Sequence, residues 1–345
     1  MTPRVSVVVP ALDAARTLPR TLAALAALEP APDEIVFVDN GSTDDTRARL
    51  EAFAASGPRA KVLVLDEPRR GASAARNTGI RAATGEVIAF TDADCCPRRD
   101  WVGALTAPLA DRGVGAVAGR LLSTPAAGLV ETFGSLFTLQ LPAASARHTR
   151  WTPCSGGFPT ANLAVRGALL RRVGGFDESV AIYGEDYDLC ARLYEAGAAI
   201  VYTPAAAVEH QHRVTLRGML RQAFGFGRSH AWLMRRHLSR GLWLDLPRVS
   251  LARPGFPVPL WIDAGAPDKK VLMLLALALA WRPLLGLLPV YAGWLWWDVG
   301  VRARARGLHL SSLARCGLVG CLLAKAAAMT GGRWWGSLRY GRACL

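Results

Sequence analysis

The chain has 345 residues, 51% of them hydrophobic and 20% charged, enough for one large cored domain with an appendage or for two domains. Its seven cysteines, at 95, 96, 154, 190, 316, 321 and 344, fit neither a metal-ligand spacing nor a disulfide ladder, which excludes a structural zinc module and a disulfide-stapled scaffold. The net charge of +14 is confined to the last third: residues 1–212 hold 21 Arg/Lys against 23 Asp/Glu, and residues 213–345 hold 20 against 4.

In chain order, MTPRVSVVVP lacks the charged-then-apolar pattern of an export signal and leads straight into a strand, so the catalytic part is expected in the cytosol. Apolar runs at 5–9 (VSVVV), 34–38 (EIVFV), 61–65 (KVLVL) and 86–90 (EVIAF) predict strands buried on both faces. The connections carry leucines and alanines at helical spacing, as in TLPRTLAALAAL at 17–28. Four β-α units in a row predict a mostly parallel, doubly wound sheet with helices on both faces. Ligands in such sheets sit at the carboxyl ends of strands. Here those ends carry Asp39-Asn40-Gly41 and Asp92-Ala93-Asp94.

Beyond residue 112 the pattern is mixed. A strand is predicted at 113–119, a poorly patterned stretch runs to 155, and FPTANLAVR (158–166) leads into a helix ending at Val173. A GGFDE turn follows, then a helix over 185–195 that Gly197 terminates, a strand at 199–203 and an arginine-rich helix at 215–238.

Residues 271–297 contain one charge in 27 positions, long enough to cross a bilayer. Arg282-Pro283 and Pro289 interrupt the run, and Lys269-Lys270 flank one side while Arg302, Arg304 and Arg306 flank the other. A single crossing would place one basic cluster outside. The segment is therefore read as a re-entrant or in-plane hairpin with both ends cytosolic and Trp294, Trp296 and Trp297 at headgroup level; a buried hairpin of a soluble domain is the plainer alternative. The stretch 308–330, with Arg315 and Lys325, reads as an interfacial amphipathic helix. Because the arginines interleave with Leu and Trp, the basic partner surface is expected to be an anionic membrane, not nucleic acid. This organises the chain as an α/β domain over 1–238 and a basic, hydrophobic, helical, membrane-associating region over 239–345.

Chemistry concentrates at the strand ends. In 87-VIAFTDADCCP-97, Asp92 and Asp94 stand two apart past a strand, so an extended backbone turns both to one side. Carboxylates that close repel unless a cation intervenes, and oxygen ligands of this kind suit Mg²⁺ or Mn²⁺ shared with phosphates. A turn or capping role is the plainer reading of any isolated Asp-x-Asp. Cys95 and Cys96 read as small buried thiols in preference to a redox pair. In 35-IVFVDNGSTDDT-46, helix capping near Ser42/Thr43 accounts for Asp44 and Asp45 but not for Asp39. The helix opened by GASAARNTGI carries Arg76 and Asn77, placed for a diphosphate or for a surface ion pair. Glu185 and Asp186 sit at a helix N-terminus, where capping is again the bland account.

Seven segments in order, VSVVVPALDAARTL (5–18), VDNGSTDDT (38–46), RGASAARNTGI (70–80), GEVIAFTDAD (85–94), GGFDE (174–178), GEDYDLCARL (184–193) and VEHQHR (208–213), resemble the family 2 glycosyltransferases of the GT-A fold. ALD at 11–13 departs from the aromatic and asparagine often found there. The resemblance implies a metal-dependent, inverting transfer of a sugar from a nucleotide diphosphate, most often uridine diphosphate, to an acceptor hydroxyl. It implies nucleotide-sugar contacts at Pro10, Asp39, Arg76, Asn77, Asp92 and Asp94, with Asp39 on the base and Asp92 near the ribose. The divalent metal (Mn²⁺ or Mg²⁺) would be held by Asp94, with His210 approaching it and His212 as rival. Asp186 would be the general base, with Glu185 as the near alternative, and Asn162 would line the acceptor side. A lipid-linked or cell-envelope glycan is the expected acceptor, with the enzyme on the cytoplasmic face of the inner or plasma membrane. A nucleotidyltransferase and a non-catalytic membrane scaffold of the same fold are the competing readings.

Overall fold

Continuous Val, Ile and Phe runs build the first strands, because a strand covered by helices on both faces needs no polar alternation. In the computed structural model, which describes residues 3–124, 126–138, 144–179, 183–211, 214–246, 250–253 and 255–344, the chain opens with β1 (Val5–Ala11), α1 (Leu18–Ala26), β2 (Glu34–Asp39), α2 (Thr46–Ala55), β3 (Lys61–Asp66), α3 (Ala72–Ala82) and β4 (Val87–Phe90). Next come β5 (Cys95–Pro97), α4 (Trp101–Thr106), β6 (Val114–Ser123), α5 (Leu129–Phe137), β7 (Ala146–His148), β8 (Leu163–Arg166), α6 (Gly167–Arg172), α7 (Glu185–Glu195) and β9 (Ala199–His210). The last part holds α8 (Leu216–His237), β10 (Gly241–Asp245), β11 (Ser250–Arg253), β12 (Pro259–Asp263), α9 (Pro267–Ala280), α10 (Leu287–Arg304), α11 (Ser312–Tyr340) and β13 (Ala343–Cys344). Two compact units result, Met1–Thr124 with Leu141–Gln211, and Pro125–Gln140 with His212–Leu345.

The first unit is a nine-stranded sheet in the order β3-β2-β1-β4-β8-β6-β9-β5, with β7 on β9. Its first four strands are parallel, and their register places Ala11 level with Asp39, and Asp39 level with Asp66, at one carboxyl edge. Phe90 pairs with Val8, so the residues after β4 run alongside the end of β1 and reach that same edge. Beyond β4 the sheet turns mixed, since β8 is antiparallel to both β4 and β6. The small residues of α3 let it lie directly on β1: a Cβ on Gly79 would stand 2.4 Å from Val8 Cγ1. Gly197 takes the left-handed conformation (φ 82°) that ends α7, as its position predicts.

β6 and β9 run parallel but slip between Gly119 and Arg120, where the pairing jumps from Thr203 to Ala207. The slip strands two carbonyls, and Asn162 bridges it. Its Nδ2 donates to Arg120 O and Ala206 O, both at 2.9 Å, and its Oδ1 accepts from Trp101 Nε1 at 2.8 Å.

The second unit contains a four-stranded sheet in the order β11-β10-β12-β13, which the apolar pattern of 239–345 does not announce. α8 and α11 cross with backbone nearly in contact, since a Cβ on Gly332 would lie 2.1 Å from Phe224 O and one on Gly227 2.0 Å from Met329 O. A separate core joins Phe133 and Leu136 of α5 to Met219, Val299, Leu318 and Cys321. By length and composition, Arg282–Arg304 and Ser312–Tyr340 could each cross a membrane. The expected break at Arg282-Pro283 falls between α9 and α10, but Pro289 does not interrupt α10. It occupies the helix's first turn, where no backbone N–H is needed for an intrahelical bond.

Candidate active site

The carboxyl edge of β1, β2 and β4 carries the cluster. At the tip of β2 Asp39 is buried, and its Oδ1 accepts from Ser42 N at 3.2 Å. Its neighbour Asn40, named with Asp39 at the strand end but given no role there, clamps the next loop. Its Nδ2 donates to Glu67 O (2.7 Å) and Arg69 O (2.8 Å), and its Oδ1 accepts from Gly71 N at 2.8 Å. Pro10 is half-buried on β1, paired with Val38. Asp13 binds the β1 loop to the β2 loop: its Oδ1 accepts from Thr43 N at 2.8 Å, and its own N–H donates to Ser42 Oγ at 3.0 Å. Asp13 has φ 47°, a left-handed conformation that Asp tolerates better than most residues. It fills the position where the resemblance leads one to expect asparagine. α2 begins at Thr46, later than Ser42/Thr43, and Asp44 tightens the preceding turn by accepting from Thr46 N at 3.0 Å.

Asp92 and Asp94 do not stand on extended backbone. Cys95 N donates to Asp92 O at 3.0 Å, closing a tight turn, and the two side chains have different partners. Ala93 O accepts from Thr17 Oγ1 (2.9 Å) and Thr21 Oγ1 (3.0 Å), which anchors the turn to α1. Asp92 Oδ1 accepts from Arg76 Nη2 at 2.9 Å, and Glu185 Oε1 accepts from Arg76 Nη1 at 3.0 Å. Arg76 is therefore neither on the surface nor aimed at an open phosphate site; it is 5% exposed and joins two carboxylates. Burial disfavours its charge, but Asp92 and Glu185 outweigh burial and raise its pKa. Asn77, one residue on, clamps the 174–178 turn: Phe176 N donates to its Oδ1 (2.8 Å), and its Nδ2 donates to Phe176 O (2.8 Å) and Glu178 Oε1 (2.9 Å).

Asp186 follows Glu185 in the first turn of α7, and its Oδ1 accepts from Tyr187 N at 2.9 Å. Burial pushes its carboxyl well above the usual carboxylate range, the neighbouring Glu185 adds to the effect, and Arg76 opposes both.

On the other flank, β5 and β9 pair Cys95 with His210. His210 Nε2 lies 3.8 Å from Asp94 Oδ2, and ligand atoms of Asp94, Cys95 and His210 all fall within 4.8 Å of one another. Cys95 is fully buried, and burial together with Asp94 and Asp92 drives its thiol pKa well up. Beside it stand a carboxylate and an imidazole as donors. That set fits a divalent ion such as Mn²⁺, with remaining positions open to phosphate oxygens and water. Cys96 beside it is half-buried. His212 lies outside the described residues.

Asn162 does not line this site. It is 1% exposed, and both its Nδ2 hydrogens are spent on the β6–β9 slip, so its position is a structural one.

Residues 6–169, the stretch that builds most of this edge, match the family model described as Glycosyl transferase family 2. These residues belong to glycosyl transferase family 2. Over 239 residues the chain is 36% identical to the pre-mycofactocin glycosyltransferase of Mycobacterium tuberculosis, covering 68% of this chain but 48% of that protein, so it spans about half that relative's length. Glycosyltransferase AglE of Haloferax volcanii is 29% identical over 269 residues, 76% of this chain and 81% of that one. The GT-A arrangement of this family 2 domain also appears in the mannosyltransferase PcManGT from Pyrobaculum calidifontis, solved with GDP-Man and Mn²⁺ (TM-score 0.56, 23% identity, 97% of this chain and 88% of that one).

Proposed function

We propose that the protein is an inverting, metal-dependent glycosyltransferase that moves a sugar from a nucleotide diphosphate to an acceptor hydroxyl. The observation that carries this reading is the convergence, within one unit, of the Asp94–His210 pair and the Arg76-linked carboxylates Asp92 and Glu185 at the carboxyl edge of β1, β2 and β4.

In this reading Asp39 and Asp92 take the base and ribose sides of the donor, and Asp94 with His210 would hold the divalent ion. Bound there, such an ion neutralises charge on the departing diphosphate. Asp186 takes the proton from the acceptor hydroxyl, for which it must come within about 3 Å of that oxygen. Attack from the face opposite the leaving group inverts the anomeric centre. A uridine diphosphate sugar is the proposed donor; the GDP-Man carried by PcManGT supports the guanosine form as the next to try.

For the acceptor we propose a lipid-linked or envelope glycan, with the enzyme on the cytoplasmic face of a membrane. The exposed leucines and tryptophans of α9, α10 and α11 support this. The 36% identical relative favours a second acceptor, pre-mycofactocin itself. Replacing the proposed base tests the reading directly: Asp186→Asn should lower transfer by about 10³-fold or more while donor affinity changes little. Near-normal turnover by that variant would remove Asp186 from the chemistry.

A further inference from the structure

Glu185 and Asp186 are adjacent carboxylates at one helix start, and the proposed chemistry needs only one base. Their surroundings differ. Glu185 Oε1 accepts from Arg76 Nη1 at 3.0 Å, whereas Asp186 makes no ion pair among the described residues and accepts from its neighbour's backbone N–H. The same guanidinium donates from Nη2 to Asp92 Oδ1 at 2.9 Å. It lies over Phe176, 5.5 Å from the ring centroid, and its Nε is buried with no hydrogen-bond partner. Asp92 keeps 29% of its side chain exposed, so its outer face remains open at the strand edge.

Arg76 therefore connects α3, the turn after β4 and the first residue of α7. A planar guanidinium holds two carboxylates in a fixed relation, which a lysine's single ammonium does not. We propose that Arg76 is the positioning residue of this site: it commits Glu185 to structure, leaves Asp186 as the base, and makes the start of α7 respond to a nucleotide bound against Asp92. This rests on the nucleotide-sugar reading above and adds to it a link between donor binding and the base.

The groups facing Asp186 are Glu185, Tyr187 and Cys190 on its own helix and Arg76 from α3. Arg76 is the cation among them, so the link runs through it. Asp188, two residues on, is committed elsewhere: its Oδ2 accepts from Arg192 Nε at 2.8 Å.

The test uses the full chain in detergent, with UDP, GDP or thymidine diphosphate, each with Mn²⁺. Binding is followed by thermal shift and the start of α7 by hydrogen exchange in peptides spanning 183–190. In the wild type, the nucleotide that binds should slow exchange there at least threefold. Arg76→Gln should still bind it, with up to tenfold weaker affinity, but lose the protection, and Arg76→Lys should recover part of it. If Arg76→Gln does not fold, Glu185→Gln weakens the same link from the other side and should reduce the protection likewise. In transfer assays Glu185→Gln should lose about tenfold or less, against the 10³-fold loss of Asp186→Asn. Binding without protection in the wild type, or full protection in Arg76→Gln, overturns the link and leaves the donor reading standing. Equal losses in Glu185→Gln and Asp186→Asn overturn the assignment of the base. No binding of any of the three nucleotides overturns the donor reading and the link together.

Discussion

Asp186 shows how the site's chemistry follows from its surroundings. Its carboxyl is pushed up first by burial and then by Glu185; Arg76 restrains the shift most, and the backbone N–H groups of Tyr187 and Asp186 add to that restraint. A base must be ionised to work, so the rate should fall as pH drops through this raised pKa, following a single proton. Removing the Arg76 charge removes the largest of these restraints, so in Arg76→Gln the acid limb should move to still higher pH. The profile of kcat against pH measures both, and an acid limb in the ordinary carboxylate range, near pH 4, would contradict the account. At this scale the strand-end placement of Asp39, Asp92 and Asp94 was legible because a buried apolar run fixes where its strand stops. The asparagines were not. Asn162 and Asn77 looked like ligand contacts, yet their amides serve backbone groups of residues 42 or more positions away, as Asn162 does for Arg120. Asn40 does comparable work, although its place beside Asp39 suggested no such role. An asparagine facing a ligand and one bridging a slipped strand pair have the same sequence signature.

Among the elements, the apolar runs at 5–9, 34–38, 61–65 and 86–90 announced four strands, and the long periodic helices α7 and α8 were equally plain. The strands that escaped notice are short: β5 and β7 have three residues each, and β10, β11 and β12 lie in a stretch broken by proline and glycine. Short strands acquire their identity from the partner they pair with, which periodicity does not reveal. α9 and α10 are clearer in structure than in sequence. Lys270 Nζ lies 6.0 Å from the ring centroids of both Tyr291 and Trp294, so the start of α9 runs beside the body of α10 and the two form a hairpin turning at Trp281–Gly286. With 14 residues α9 is about 21 Å long, short of the ~30 Å hydrocarbon core. If such a hairpin inserts, the exposed Arg304 and Arg306 at the end of α10 are cations that an anionic leaflet would meet. The purified protein should bind vesicles containing phosphatidylglycerol and bind neutral ones weakly. Arg304→Gln with Arg306→Gln should weaken binding roughly thirtyfold, at ~1 kcal/mol per charge. Equal affinity for neutral and anionic vesicles would contradict an electrostatic anchor.

For the molecule as a whole, charge divides along the chain: near balance through residue 212, then an excess of 16 positive charges from 20 Arg/Lys against 4 Asp/Glu. The family 2 segment, 6–169, falls in the balanced part with all the proposed donor contacts, whereas His210, Glu185 and Asp186 come from beyond it. The family model thus covers the proposed donor contacts on β1, β2, α3 and the turn after β4, and ends before α7 and β9. If this edge turns over a nucleotide-sugar with a divalent ion, the donor is cleaved only while that ion is bound. The most direct measurement is nucleotide diphosphate release by the purified chain in detergent across UDP-, GDP- and thymidine diphosphate sugars, with Mn²⁺ or Mg²⁺ and again with chelator. Release from one donor should occur, stop on chelation and be lost in Asp94→Ala. Release that persists unchanged in chelator, or in Asp94→Ala, would contradict this metal dependence.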